Sequence, residues 1–127
     1  MCKYEFVALA GILLYSATMN QDSREQKEYF CGRLIGTREN WPNEMNENEK
    51  KIMEEHFVYL QKLIKENKVI LAGPVFSDPV YGLIILQVSS ENEAKEILDR
   101  DPSVVAGLHT YDLSPMKLSL LMENCPE

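Results

Sequence analysis

Residues 81–88 read Tyr-Gly-Leu-Ile-Ile-Leu-Gln-Val, and this octet decides the fold. In an extended chain successive side chains point to opposite faces, so Leu83 and Ile85 fall on one side and Ile84, Leu86 and Val88 on the other. Both faces are apolar, and such a strand is covered from both sides. One helical layer in a chain of 127 residues covers one side only, so a second subunit is the simplest cover for the other. Just upstream, Val69-Ile70-Leu71-Ala72 reads as a short strand stopped by Gly73-Pro74. Ser77-Asp78-Pro79 supplies turn chemistry between the two strands.

Working outward, residues 28–37 (EYFCGRLIGT) read as the first strand. Phe30 and Leu34 lie on one face, Tyr29, Cys31 and Ile35 on the other. Gly32 and Gly36 either weaken this strand or let something approach its backbone closely. Residues 38–45 are a turn-rich connection. A helix follows from about Glu47 to Glu66, with Asn46 as N-cap and Glu49 in capping-box position. Met53, His56, Phe57, Leu60, Leu63 and Ile64 form its apolar stripe. Ser90 caps a second helix, with Glu93 three residues on and Ala94, Ile97 and Leu98 facing inward. Asp101-Pro102 ends that helix or starts a new turn, and Gly107 closes the turn. Residues 109–120 are the last strand, and Pro115, which cannot donate to a ladder, puts it at a sheet edge.

The order is βαββαβ, which predicts an α+β domain of ferredoxin-like topology: a four-stranded antiparallel sheet with two helices on one face. The first and third strands are expected to be central. The predicted organisation is a signal-like segment 1–18, a linker 19–27, the domain at 28–121 and a tail at 122–127.

Composition excludes several function classes. Hydrophobic residues make up 45% and charged residues 26%, as in ordinary globular domains. The net charge of −7 argues against nucleic-acid binding, which needs clustered Lys and Arg. Cys2, Cys31 and Cys125 form no CxxC pair and no metal-ligand spacing, so no zinc or iron–sulfur site is expected. Near the start, Lys3 precedes an apolar run from Phe6 to Tyr15 and then Ser16-Ala17-Thr18. That pattern resembles a secretory signal, and it is too short to span a bilayer. An N-terminal strand or helix packed on the core has the same pattern. Export is favoured over a cytoplasmic location on this reading. In an exported protein a Cys31–Cys125 disulfide is open; a buried thiol and a loose tail thiol are the alternative.

A set of short segments now stands in order: His56 with Tyr59-Leu60; Lys68-Val69-Ile70-Leu71-Ala72-Gly73-Pro74; Val88-Ser89-Ser90 leading into Glu93-Ala94; and Asp101-Pro102-Ser103-Val104-Val105-Ala106-Gly107-Leu108. In order and spacing, over residues 28–120, this resembles the YCII-related family of small dimeric α/β-barrel proteins. The resemblance implies a homodimer, a small-molecule site, and a His–Asp pair carried here by His56 and Asp101. It also implies cofactor-independent chemistry of the lyase, isomerase or dehalogenase type, without naming a substrate. Ser103 departs from the family, in which many members carry an aromatic at that position.

The residues also have readings of their own. A carboxylate bonded to one imidazole nitrogen fixes the tautomer and leaves the other nitrogen as a general base. His56 with Asp101 fits that pattern; a nucleophilic histidine, or a satisfied core histidine, fits the same position. Asp101 before Pro102 is also a natural N-cap, and the two roles are compatible. Gly73 and Pro74 bring backbone close to a ligand or simply end a strand. Trp41 is either a pocket lid or an anchor packed on the helix. Arg33 meets an anionic substrate or sits on the surface. The expected function is general acid/base chemistry on a small molecule. The alternative is a ligand-binding or regulatory dimer without turnover, or a scaffold in which the pair is core plus cap.

Overall fold

The computed structural model describes residues 26–123. The signal-like segment, nearly all of the linker, and Cys125 with the end of the tail lie outside the described residues. Lys27–Lys117 forms one compact unit. Its elements are β1 (Glu28–Gly36), α1 (Glu47–Lys65), β2 (Val69–Val75), β3 (Tyr81–Val88), α2 (Glu91–Asp99), α3 (Pro102–Val105) and β4 (His109–Met116). The strands form an antiparallel sheet in the order β2-β3-β1-β4, so β1 and β3 are central, as the βαββαβ order predicts. Pro115 lies on edge strand β4.

Side-chain parity sorts the sheet into two faces. Phe30, Leu34, Ile84, Leu86 and Val88 are buried against Leu60 and Leu63 of α1 and Ala94, Ile97 and Leu98 of α2. Truncating one of these sealed side chains, such as Leu34 or Leu98, to alanine costs about 2–5 kcal/mol. The opposite face carries Cys31, Leu83 and Ile85, all only partly buried.

Helix ends follow from local chemistry. The Asn46 carboxamide accepts from Glu49 N–H at 2.8 Å, and the Glu49 carboxylate accepts from Asn46 N–H at 3.0 Å. At the far end Asn67 adopts φ 60°, and Asn67 and Lys68 return hydrogen bonds to the carbonyls of Ile64 and Leu63. Ser90 caps α2, but the Glu93 carboxylate reaches one residue further back than a capping box requires, to Ser89 N–H and its hydroxyl. These bonds, with Lys68 adding to them, hold the Glu93 carboxyl down at about 2.

Several elements differ from expectation. Strand β2 runs on through Gly73-Pro74 to Val75 rather than stopping there. It is an edge strand, so Pro74 costs no ladder bond that a central position would need. Strand β4 ends at Met116, not residue 120. Of the two readings open to Asp101-Pro102, the second is met: it starts a separate turn of helix, α3. On α1, Phe57 and Ile64 are 62% and 46% exposed, although they share the apolar stripe.

Candidate active site

Between α1 and the β2–β3 side of the sheet lies an open cavity of about 540 Å³, within the range of small-molecule pockets. The exposure of Phe57 and Ile64 follows from it: both line this hollow instead of packing in the core. The lining is largely apolar. Among the described residues it contains His56, His109, Gln61 and Tyr81, and no Lys, Arg, Asp or Glu.

His56 reaches the cavity from the middle of α1. Its Nδ1 lies 2.8 Å from both carboxylate oxygens of Asp101. Between an ionised carboxylate and a neutral imidazole, Nδ1 carries the proton and Nε2 keeps its lone pair. The Asp101 side chain is fully buried and that of His56 is 12% exposed. A buried carboxylate needs all its partners, and Ser103 supplies two. Its backbone N–H donates to Asp101 Oδ1 at 2.9 Å and its hydroxyl at 2.8 Å. Asp101 is therefore the N-cap of α3 and the partner of His56 at once. Three residues along α1 from His56, Tyr59 O–H donates to the Ile97 carbonyl at 2.7 Å, tying α1 to α2 beside the pair. Burial pushes the Tyr59 phenol up, with Asp101 contributing.

Trp41 shapes one end of the cavity. Its side chain lies on Gly36, where an added Cβ would come within 2.4 Å of the indole. Of the two uses open to that glycine, close approach is the one observed. The Arg38 guanidinium sits 5.2 Å over the Trp41 ring and pairs with Glu49 at 3.1 Å, anchoring the indole to the start of α1. The other edge of Trp41 meets His109, with ring centroids 5.2 Å apart and the planes nearly perpendicular.

His56, Trp41, Gly73 and Pro74 thus surround one cavity, with Asp101 directly behind His56. Arg33 does not join them. It stands on the opposite face of the sheet, opposite Asp112 in the β1–β4 register, and donates to that carboxylate at 3.0 Å through Nε. Its charge is satisfied there, so the anionic-substrate reading of Arg33 has no geometric basis.

Two residues enter the site that sequence reasoning did not place in it. Ser103, noted only as a departure from the family, holds Asp101. His109, taken only as the start of the last strand, lines the cavity with its ring centroid 6.1 Å from that of His56. A signal existed for His109: it alternates with Tyr111 and Leu113, which pack on the core. Burial pushes the His109 imidazole down to about 4, with the neighbouring His56 adding to this and Asp101 opposing it. Among the described residues no cluster of potential metal ligands occurs, and no helix is long and apolar enough to cross a membrane.

Comparison with known proteins gives a family match and matches among solved structures. The profile of the YCII-related domain fits residues 17–117. Among solved structures, the fold is similar to that of 5-chloro-2-hydroxyhydroquinone dehydrochlorinase from Burkholderia phenoliruptrix AC1100, in complex with 2,5-dihydroxybenzoquinone. The TM-score is 0.52 at 20% sequence identity, over 69% of this chain and 93% of that one. At this identity the likeness is one of fold. No curated protein matches the chain in sequence.

Proposed function

The chain belongs to the YCII-related domain family, and on that footing we propose that it is a small-molecule enzyme whose general base is His56, oriented by Asp101. The observation that carries this reading is the contact of His56 Nδ1 with a fully buried carboxylate at the wall of an open apolar cavity. Such a contact leaves Nε2 free to take a proton from a bound ligand. The absence of charged side chains from the lining favours an uncharged, mostly apolar substrate. A ring compound bearing carbonyl or hydroxyl groups fits that description. The structurally similar dehydrochlorinase, solved with a dihydroxybenzoquinone, supports the same class. The reaction class is proton transfer at such a compound, leading to isomerisation or to loss of a halide.

The experiment is a screen of the purified full chain against lactones and chlorinated hydroxyhydroquinones, following absorbance and chloride release. Wild type is expected to turn over at least one of them, and His56→Gln to lose the activity. A wild type that binds a ring compound tightly and returns it unchanged supports a binding module instead.

The half-buried apolar face of the sheet, with Cys31, Leu83 and Ile85, suits a second copy of this chain. We propose a homodimer through that face. Sedimentation is the check: Ile85→Asp is expected to yield monomer, and a wild type already monomeric at micromolar concentration rules the dimer out.

A further inference from the structure

We propose that His109 is the second working imidazole of this site: a neutral hydrogen-bond donor that holds the substrate oxygen on which negative charge collects while His56 takes a proton from the neighbouring atom. This deepens the reading above and rests on it.

Three observations lead there. His109 is 6% exposed, and its Nδ1 is buried with no hydrogen-bond partner among the described residues. Buried polar atoms are nearly always paired, so the bare Nδ1 bears on which ring nitrogen holds the proton. Its ring lines the same cavity as His56, with the centroids 6.1 Å apart. Trp41 braces it edge-on, and Gly36 is what allows Trp41 so close.

The orphan nitrogen also fixes the tautomer. A neutral imidazole has one N–H and one lone pair. Leaving a buried N–H unpaired is costlier than leaving an acceptor so. The lone pair therefore belongs on Nδ1 and the proton on Nε2, the ring's remaining polar atom. His56 is the reverse, with its proton on Nδ1 toward Asp101. The cavity wall thus offers one acceptor and one donor, from two imidazoles a ring's width apart.

The ring stays uncharged for physical reasons. It is desolvated, and a cation there would lie beside His56, which becomes cationic in mid-reaction. The groups facing it are His56 from α1 and Asp101 ahead of α3, with Trp41 from the loop after β1. Its depressed proton affinity, about 4, accords with this. A neutral imidazole is a sufficient electrophile at a carbonyl oxygen.

The pair suits a carbonyl compound with an acidic hydrogen on the adjacent carbon. His56 Nε2 takes that hydrogen as a proton. The C–H electron pair becomes a C–C π bond, and the carbonyl π pair moves to oxygen, where His109 Nε2–H donates to it. Where a second carbon–carbon double bond is conjugated to this enolate, the oxygen pair re-forms the carbonyl, the π pairs shift along the chain, and His56 returns the proton to the far (γ) carbon, giving an isomer. Where a halogen sits on the β-carbon instead, the oxygen pair re-forms the carbonyl, the enolate C–C π pair becomes the α–β double bond, and halide leaves with its bond pair, so that HX is lost overall.

The test uses imidazole-¹⁵N NMR on the full chain, with 1,4-cyclohexanedione, an uncharged ring compound with carbonyl oxygens, as probe. The expected result is the Nε2–H tautomer at His109, and a shift of its Nε2 signal as the probe is titrated in. An Nδ1–H tautomer, or a probe that moves His56 signals and leaves His109 still, overturns the proposal. With any substrate found in the screen, His109→Leu should lower kcat about 10²–10³-fold, as loss of one such donor does. His109→Gln, which keeps an amide donor, should recover part of it, with KM changing less than kcat. Equal kcat in wild type and His109→Leu also overturns it. Wild type without any turnover sinks the preceding reading instead, and the tautomer and probe shift still decide whether His109 donates. The NMR measurement needs no variant to fold.

Discussion

Asp101→Asn separates the two duties that meet in one carboxylate. Asn caps helices about as well as Asp, and its carbonyl can still accept from Ser103 N–H and hydroxyl, now at 2.9 and 2.8 Å. The remaining atom becomes an NH₂ facing His56 Nδ1. Two donors cannot face each other, so the imidazole proton must move to Nε2, and the nitrogen on the cavity side stops being a base. Stability should fall by no more than about 1–2 kcal/mol, the difference between a charge-assisted and a neutral hydrogen bond. The rate should fall far more, on the order of 10³–10⁴, as in other sites where an orienting Asp becomes Asn.

Asp101→Ala makes the contrast. It removes the cap, worth about 1 kcal/mol, and strands both the Ser103 hydroxyl and His56 Nδ1–H in a buried setting, at about 1–3 kcal/mol each. A total of about 3–7 kcal/mol follows, with the rate lost as well. Urea unfolding gives the first quantity, chloride release or absorbance the second, and imidazole NMR the tautomer directly. The reasoning is refuted if the Asn variant keeps its rate within tenfold of wild type. It is equally refuted if Asn and Ala lose the same stability, because the carboxylate would then be neither cap nor orienter in the manner described.

Three further perturbations probe the surroundings. Gly36→Ala puts a Cβ at 2.4–2.6 Å from Trp41 side-chain atoms; the indole should be displaced, with a red-shifted emission from the chain's single tryptophan and a loss of about 1–3 kcal/mol. Ser103→Ala removes the hydroxyl bond to Asp101 but keeps the backbone one, so unfolding should show about 1 kcal/mol lost, with a rate effect well below that of Asp101→Asn. The Glu93 carboxyl is held at about 2 against 4.5 when unfolded, so its stabilising contribution is complete above 4.5 and disappears as the pH falls toward 2. Glu93→Gln should flatten that part of the acid-unfolding curve, removing on the order of 2 kcal/mol at neutral pH, and an unchanged acid slope would count against the assignment.

Much of the scaffold was legible because it is written in short-range patterns. The βαββαβ order, with the doubly apolar β3 and Pro115 in agreement, indicated which strands are central, and Asn46, Ser90 and Gly107 marked helix ends by chemistry that needs no distant partner. The failures share one cause, which is register. Arg33 was a candidate ligand for an anion until pairing put it opposite Asp112. Gly73-Pro74 read as a stop, since the sequence does not say that β2 lies on an edge where proline is tolerated. Phe57 and Ile64 looked like core because a helical stripe shows which face is apolar but not where that face parts from the sheet. His109 escaped notice too: its parity was readable, but its approach to His56 depends on where α1 and α3 pack against each other.

Ser103 shows why the site can be built from parts that the fold already requires. Its N–H and hydroxyl hold Asp101, while its carbonyl accepts from Leu108 N–H at 2.9 Å. With Gly107 at φ 76° and Gly107 N–H bonded to the Val104 carbonyl, that last bond completes a Schellman closure of α3. Thr37 then clamps the turn to the end of β1, through its hydroxyl to the Gly107 carbonyl at 2.6 Å and its N–H to that of Leu108 at 3.0 Å. The next residue is His109. One four-residue helix therefore sets the carboxylate at its start and the second imidazole just past its end, and His56 meets both from α1. Because that geometry is held by backbone bonds and one buried serine, cavity-lining side chains such as Phe57 and Ile64 can change without moving the polar groups. On the function proposed above, substrate choice belongs to the apolar wall, and proton chemistry to the turn around α3.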